Sequence, residues 1–172
     1  VYGADDYSNY VVDFEPTNRY AASLRSSHVN KIYYDPTVRY QPWSNADGSL
    51  MNNADPTCAP HNPLNTTAGC RNLTVNNTQT ARWLKSDGTR SSSQSKTFYP
   101  AVYFNYVSGS INDASSYTEI EIISSTASYV GGPNRSDCTA APNCTYNEEI
   151  QNFANWYTYY RSRILLARAG IG

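Results

Sequence analysis

The sequence carries no catalytic signature. There is no G-x-S-x-G elbow, no H-E-x-x-H zinc pair and no glycine-rich phosphate cradle. Its two imidazoles, His28 and His61, have no nucleophile motif beside them. An enzyme is therefore not expected. Charge is scarce as well: Asp, Glu, Lys and Arg make up 16% of the residues, and the net charge is −1. No basic run is present, so the footprint of a nucleic-acid binder is missing. No long apolar run is present either, so no helical membrane span is expected. Neither a repeat of fixed period nor an internal linker stands out, so residues 1–172 are read as a single region. The chain starts at Val1 without a leader-like segment, which points to a processed mature chain or an excised fragment.

What the chain has in abundance is Ser, Thr, Asn and 16 tyrosines. That balance fits an extracellular, β-rich protein. Four cysteines, Cys58, Cys70, Cys138 and Cys144, suggest disulfides in such a chain. Of the three pairings open to them, the local one is preferred, Cys58 with Cys70 and Cys138 with Cys144. Each of these pairs brackets a loop containing Pro, Asn and Ala. A zinc site fits less well, because neither pair has knuckle spacing and no pair of histidines accompanies them.

The segment with the clearest period is Thr145–Gly172. Ile150, Phe153, Tyr157, Tyr160, Ile164, Ala167 and Ile171 follow steps of three and four, which predicts one long amphipathic helix over about 146–169. Gln151, Asn155 and Ser162 fall on the opposite side. Trp156 flanks the stripe. Thr145 with Glu148 fits a capping box, with Asn147 as an alternative cap, and Glu148 and Glu149 suit the positive end of the helix dipole.

Elsewhere the pattern is of strands and polar loops. The Val11–Phe14 stretch is a short strand candidate, and Arg19–Asn30 reads as a short helix or turn. Lys31–Trp43 is aromatic but broken by Pro36 and Pro42, so any strand there is short or at an edge. Turns are expected at Asp47-Gly48 and Asp87-Gly88. Met51–Asn77 reads as a long stapled loop, and Ser91–Ser95 as a mobile low-complexity stretch. Lys96–Val107 reads as one strand. Tyr117–Ile123 alternates, with Glu119 and Glu121 on one face and Ile120 and Ile122 on the other. The predicted class is α+β, with the helix laid against a sheet built from these last two strands.

Several of these segments resemble a known family. Cys138 and the run from Cys144 to Arg163, with its NFANWYTYYRSR core, are similar to the N-terminal region of PilC/PilY-type tip-associated adhesins of type IV pili. So are Leu24–Ser27, Asn30–Pro36, Tyr40–Trp43, the Asp47-Gly48 turn and Phe98–Ala101. The resemblance implies a β-rich, loop-rich fragment or elaboration of a von Willebrand factor A-like domain. It implies action in pilus assembly and surface attachment, at the pilus tip or bacterial surface. The partners it implies are minor pilins or tip subunits, and a host or abiotic surface. The family's metal loop is not matched: Asp6-Tyr7-Ser8-Asn9-Tyr10 lacks the final Ser. No metal or cofactor is therefore expected in this chain, and any metal would belong to other parts of a full-length protein.

Two functional groupings remain. Tyr33, Tyr34, Tyr40, Trp43, Tyr99, Tyr103 and Tyr106 offer flat apolar faces with polar tips, the residue type of binding surfaces. They are the candidate binding surface. Glu119 and Glu121 could form a glycosidase-like carboxylate pair, but a solvated strand face explains them more simply. An alternative to the adhesin reading is a carbohydrate-binding module of a secreted protein. The N-x-S/T strings at Asn65, Asn72, Asn76, Asn134 and Asn143 would accept glycans only in a host with that machinery.

Overall fold

A computed structural model describes residues 19–81, 92 and 94–170. The Val11–Phe14 stretch, the Asp6–Tyr10 string and the Asp87-Gly88 turn lie outside the described residues. Helix α1 spans Arg19–Leu24. Four two-stranded antiparallel ribbons follow among the described residues. Strand β1 (Ala59–Pro60) pairs with β2 (Cys70–Arg71). Strand β3 (Asn77–Ala81) pairs with β4 (Gln94–Phe98). Strand β5 (Val102–Tyr106) pairs with β6 (Tyr117–Glu121), and β7 (Tyr129–Val130) with β8 (Asn143–Cys144). Helix α2 (Tyr146–Tyr159) and helix α3 (Arg163–Ala169) complete the order. The class is α+β, as expected.

Two-stranded ribbons are marginal on their own in water. Here they are tied to other things. The Cys58–Cys70 disulfide closes β1–β2, and Cys138–Cys144 closes the approach to β7–β8, in the local pairing expected from sequence. Strand β5 of the β5–β6 ribbon packs on both of its faces at Val102, Tyr103 and Phe104. Tyr103 points into the main core with Phe153, Trp156 and Tyr157 of α2, and Ile120, its cross-strand partner, packs against the same cluster. Ile122 lies in that core as well, fully buried. Val102 and Phe104, one residue off, join Ala22 of α1 and Tyr117 in a second, smaller cluster.

Three expectations are corrected. The stretch Lys96–Val107 is two strands, not one. It is split at Tyr99–Ala101, where the buried Pro100 sits, and its halves join different ribbons. Part of the supposedly mobile Ser91–Ser95 stretch is in β4, with Ser95 opposite Thr80. The C-terminal helix is also two. Arg161 leaves the helix to donate to the carbonyls of Tyr157 and His61 at 2.6 and 2.8 Å. Ser162 then starts α3 by accepting from the Leu165 N–H. The restart shifts the apolar register, so Ile164 is 69% exposed and Leu165 is buried in its place.

Of the residues set opposite the stripe, Asn155 is buried and Gln151 and Ser162 are half-buried; Asn152, Thr158 and Trp156 are buried as well. The reason is that α2 is wrapped by loops as well as by a ribbon. Lys31–Trp43 forms no strand but a chain of turns, in which Asp35 Oδ1 accepts from the Thr37 N–H and hydroxyl. The Asp47-Gly48 turn forms as expected, with Gly48 at φ +82° and the Asn45 N–H donating to the Ser49 carbonyl at 2.7 Å. Loop backbone brought into a core needs hydrogen-bond partners. The amide side chains of α2 supply them.

Candidate functional site

The start of α2 is fixed by a full capping box. The Thr145 N–H donates to Glu148 Oε2 at 2.7 Å, and Thr145 Oγ1 accepts from the Glu148 N–H. Thr139, from the disulfide loop, also donates its hydroxyl and N–H to Glu148. Those bonds, the Thr139 hydroxyl first, pull the Glu148 carboxyl down to about 2.

Glu149 does more than complement the helix dipole. It is fully buried and accepts from the Tyr34 hydroxyl and from Arg135 Nη1, each at 2.7 Å. Arg135 is fully buried too. It also donates to Asp137 and, at 2.8 Å, to the Pro36 carbonyl. Burial pushes the Glu149 carboxyl up, against the pull of Arg135 and of its hydrogen bonds. Burial and the Glu149 carboxylate likewise hold the Tyr34 hydroxyl well above its ordinary range, so it remains a donor. The loop carrying Arg135 must pass close to the Cys138–Cys144 disulfide. A Cβ on Gly131 would lie 2.7 Å from Cys144 Sγ and 2.9 Å from Arg135 Cγ. Nothing linear in the sequence joins Arg135 to Glu149. The Gly-Gly before it is the one local sign of a tight approach.

Along the rest of α2, side chains peg two loops. Asn152 Oδ1 accepts from the Tyr40 N–H at 2.7 Å, while Nδ2 donates to the Val38 carbonyl and the Tyr34 hydroxyl. Asn155 Oδ1 accepts from the Ala54 N–H at 3.0 Å, while Nδ2 donates to the Tyr40 carbonyl and Asn53 Oδ1. Trp156 Nε1 donates to the Ile32 carbonyl, and the Tyr159 hydroxyl to the Asn52 carbonyl. Tyr160 reaches the Gln41 carbonyl, and Tyr157 pairs with His61 Nδ1 at 2.9 Å. Each aromatic or amide in the NFANWYTYY run that faces a loop thus has a specific backbone or side-chain partner.

The candidate binding aromatics do not form one open surface. Tyr33, Tyr34 and Tyr103 are buried at 3%, 0% and 2% exposure. Tyr33 donates its hydroxyl to the Val102 carbonyl, and Tyr34 packs on Phe153 and Trp156. Tyr40, Trp43 and Tyr99 are half-buried against the same core. Tyr106 lies elsewhere, stacked on His28 with centroids 4.1 Å apart. The physical reason is area: a core assembled from loops has few aliphatic side chains, and large rings fill it. Glu119 and Glu121 are exposed on β6.

One concavity stands beside α2, between the 39–42 and 50–53 loops, with a volume of about 390 Å³. Of the seven candidate aromatics, Tyr40 is the one that lines it. Gln151 and Asn53, exposed enough to meet a ligand, were not singled out from sequence; their signal is an amide-rich helix face opposite an Asn-Asn loop. Among the described residues no group of three or more His, Cys, Asp or Glu is placed to hold a metal ion, and no helix is long and apolar enough to cross a membrane. No family model, curated protein or solved structure matches the chain.

Proposed function

We propose that this chain is a non-enzymatic part of a type IV pilus tip-associated adhesin and assembly factor, an elaboration on a von Willebrand factor A-like domain. Its partners are minor pilins or tip subunits, and the surface to which the pilus attaches. One observation carries the reading. The Thr145–Arg163 segment, which bears the most specific resemblance, is also the segment that organises the loops: it caps α2, bears Glu149 and pegs the Lys31–Trp43 and Met51–Ala54 backbone. A motif whose members each hold a loop is a signature of one architecture, not of composition. Two disulfides in the loops support a site of action in an oxidising compartment outside the cytosol.

The test uses the source bacterium and its complete protein. Deleting the region corresponding to residues 19–170 is expected to reduce surface piliation and attachment, and immobilised wild-type chain is expected to retain minor pilins. Unchanged piliation and attachment, with no pilin retained, overturns the reading.

A further inference from the structure

The groove beside α2 has a polar lining that is held in place before any ligand arrives. Its floor is Asn152 and Asn155, whose amides are fully engaged with the loops. Asn53 and Gln151 stand on that floor. Asn53 Oδ1 accepts from Asn155 Nδ2 at 3.0 Å, which leaves the Asn53 amide protons as donors. Gln151 Nε2 donates to the Ala54 carbonyl at 2.8 Å and to Asn155 Oδ1 at 3.3 Å, which leaves Gln151 Oε1 as an acceptor. At the other end Asp137 is oriented by Arg135, with 22% of its side chain exposed and lone pairs to spare. Arg39, tied by one nitrogen to Ser136 Oγ, balances that charge. Leu50 and Met51 add an apolar wall.

We propose that this groove binds a neutral saccharide. The matching is chemical. Fixed donors and acceptors stand within one small site, and hydroxyl groups both donate and accept. The balanced Arg39 and Asp137 favour neither an anion nor a cation. The apolar wall suits the C–H face of a pyranose ring. None of the lining residues belongs to strands β1–β8, so a peptide has no strand edge to extend there. The volume sits at the small end of ligand pockets, with room for about one or two pyranose rings. Because the amides are already oriented by buried partners, little ordering cost falls on binding.

The proposal needs only the groove, and it stands apart from the pilus reading. The test is saturation-transfer NMR and calorimetry on the complete chain with glucose, galactose, mannose, N-acetylglucosamine and lactose, and with tri-alanine as the peptide probe. At least one sugar is expected to bind with millimolar or tighter affinity. Binding is expected to weaken about two- to tenfold in Asn53→Ala and in Gln151→Met, the loss of one neutral hydrogen bond, and to be unchanged in Glu119→Gln. Circular dichroism checks the fold; Asn53 is exposed, so Asn53→Ala serves even where Gln151→Met does not fold. No sugar bound at about 20 mM, far above a millimolar constant, overturns the proposal. So does binding that Asn53→Ala leaves intact, or binding of tri-alanine alone. Sugar binding together with normal piliation in the deletion strain would keep the groove and refute the pilus role.

Discussion

Replacing Arg135 with Met tests the buried charge network most severely. The Arg135 and Glu149 side chains are both 0% exposed and meet at 2.7 Å, so solvent does not screen the pair. Removing the guanidinium strands the Glu149 carboxylate, still held by the Tyr34 hydroxyl, and takes a 2.8 Å donor from the Pro36 carbonyl. Asp137, partly exposed, turns to water and adds little. Breaking a buried pair from one side costs about 3–5 kcal/mol, a large share of the roughly 5–15 kcal/mol typical of a domain. The double variant Arg135→Met with Glu149→Gln removes the stranded charge and should recover all but about 1–2 kcal/mol, the orphaned Pro36 carbonyl and the weaker Tyr34 bond remaining. The assay is urea unfolding with both disulfides intact, followed by tryptophan fluorescence and far-ultraviolet circular dichroism. A pH series adds a second readout. In the single variant the Glu149 pKa rises further, so the folded state holds a proton that the unfolded state releases. Its stability therefore falls as pH rises from the ordinary glutamate range toward neutrality. A loss under about 1 kcal/mol for the single variant, or a double variant no better than the single, would refute the reasoning.

Further outcomes follow from the same packing. Phe153→Ala, at a fully buried ring, should cost about 3–5 kcal/mol. Ile164→Ala, at a residue 69% exposed, should stay within about 0.5 kcal/mol; comparable losses in thermal unfolding would restore the single long stripe. Glu148 is held at about 2 against an ordinary 4.5, so its contribution is full above about 4.5 and is lost as pH falls toward 2. Glu148→Gln should flatten stability over that window, and an unchanged pH profile would count against the capping box.

How much of this was legible in the sequence depends on the range over which each residue acts. The capping box, the Asp47-Gly48 turn and the local disulfides are set by near neighbours and stand in the structure as read, and the alternating Tyr117–Ile123 stretch forms a strand over Tyr117–Glu121. The apolar stripe placed Phe153 and Tyr157 correctly but gave no warning of the break at Arg161–Ser162. At that break Arg161 reaches a carbonyl 100 residues away. Asn155 falls opposite the stripe because helical period reports polarity, not partners; loops more than 100 residues distant complete it and its neighbour Asn152. The aromatic strings read as a surface for the same reason. A tyrosine suits a core or an interface equally, and only the fold decides. In the candidate site, Tyr40 was visible beforehand, while Asn53 and Gln151 emerge only when the loop meets the helix.

The central claim is that the side chains of α2 hold loop backbone as firmly as secondary structure would. Native-state amide hydrogen exchange measures this directly at two positions outside any helix or strand. The Tyr40 N–H is bonded to Asn152 and the Ala54 N–H to Asn155. The account predicts that both amides exchange as slowly as those within α2, and that Asn155→Ala releases Ala54 while leaving Phe153 protected. Exchange of Tyr40 and Ala54 at the rate of open loop amides, with α2 itself protected, would contradict it.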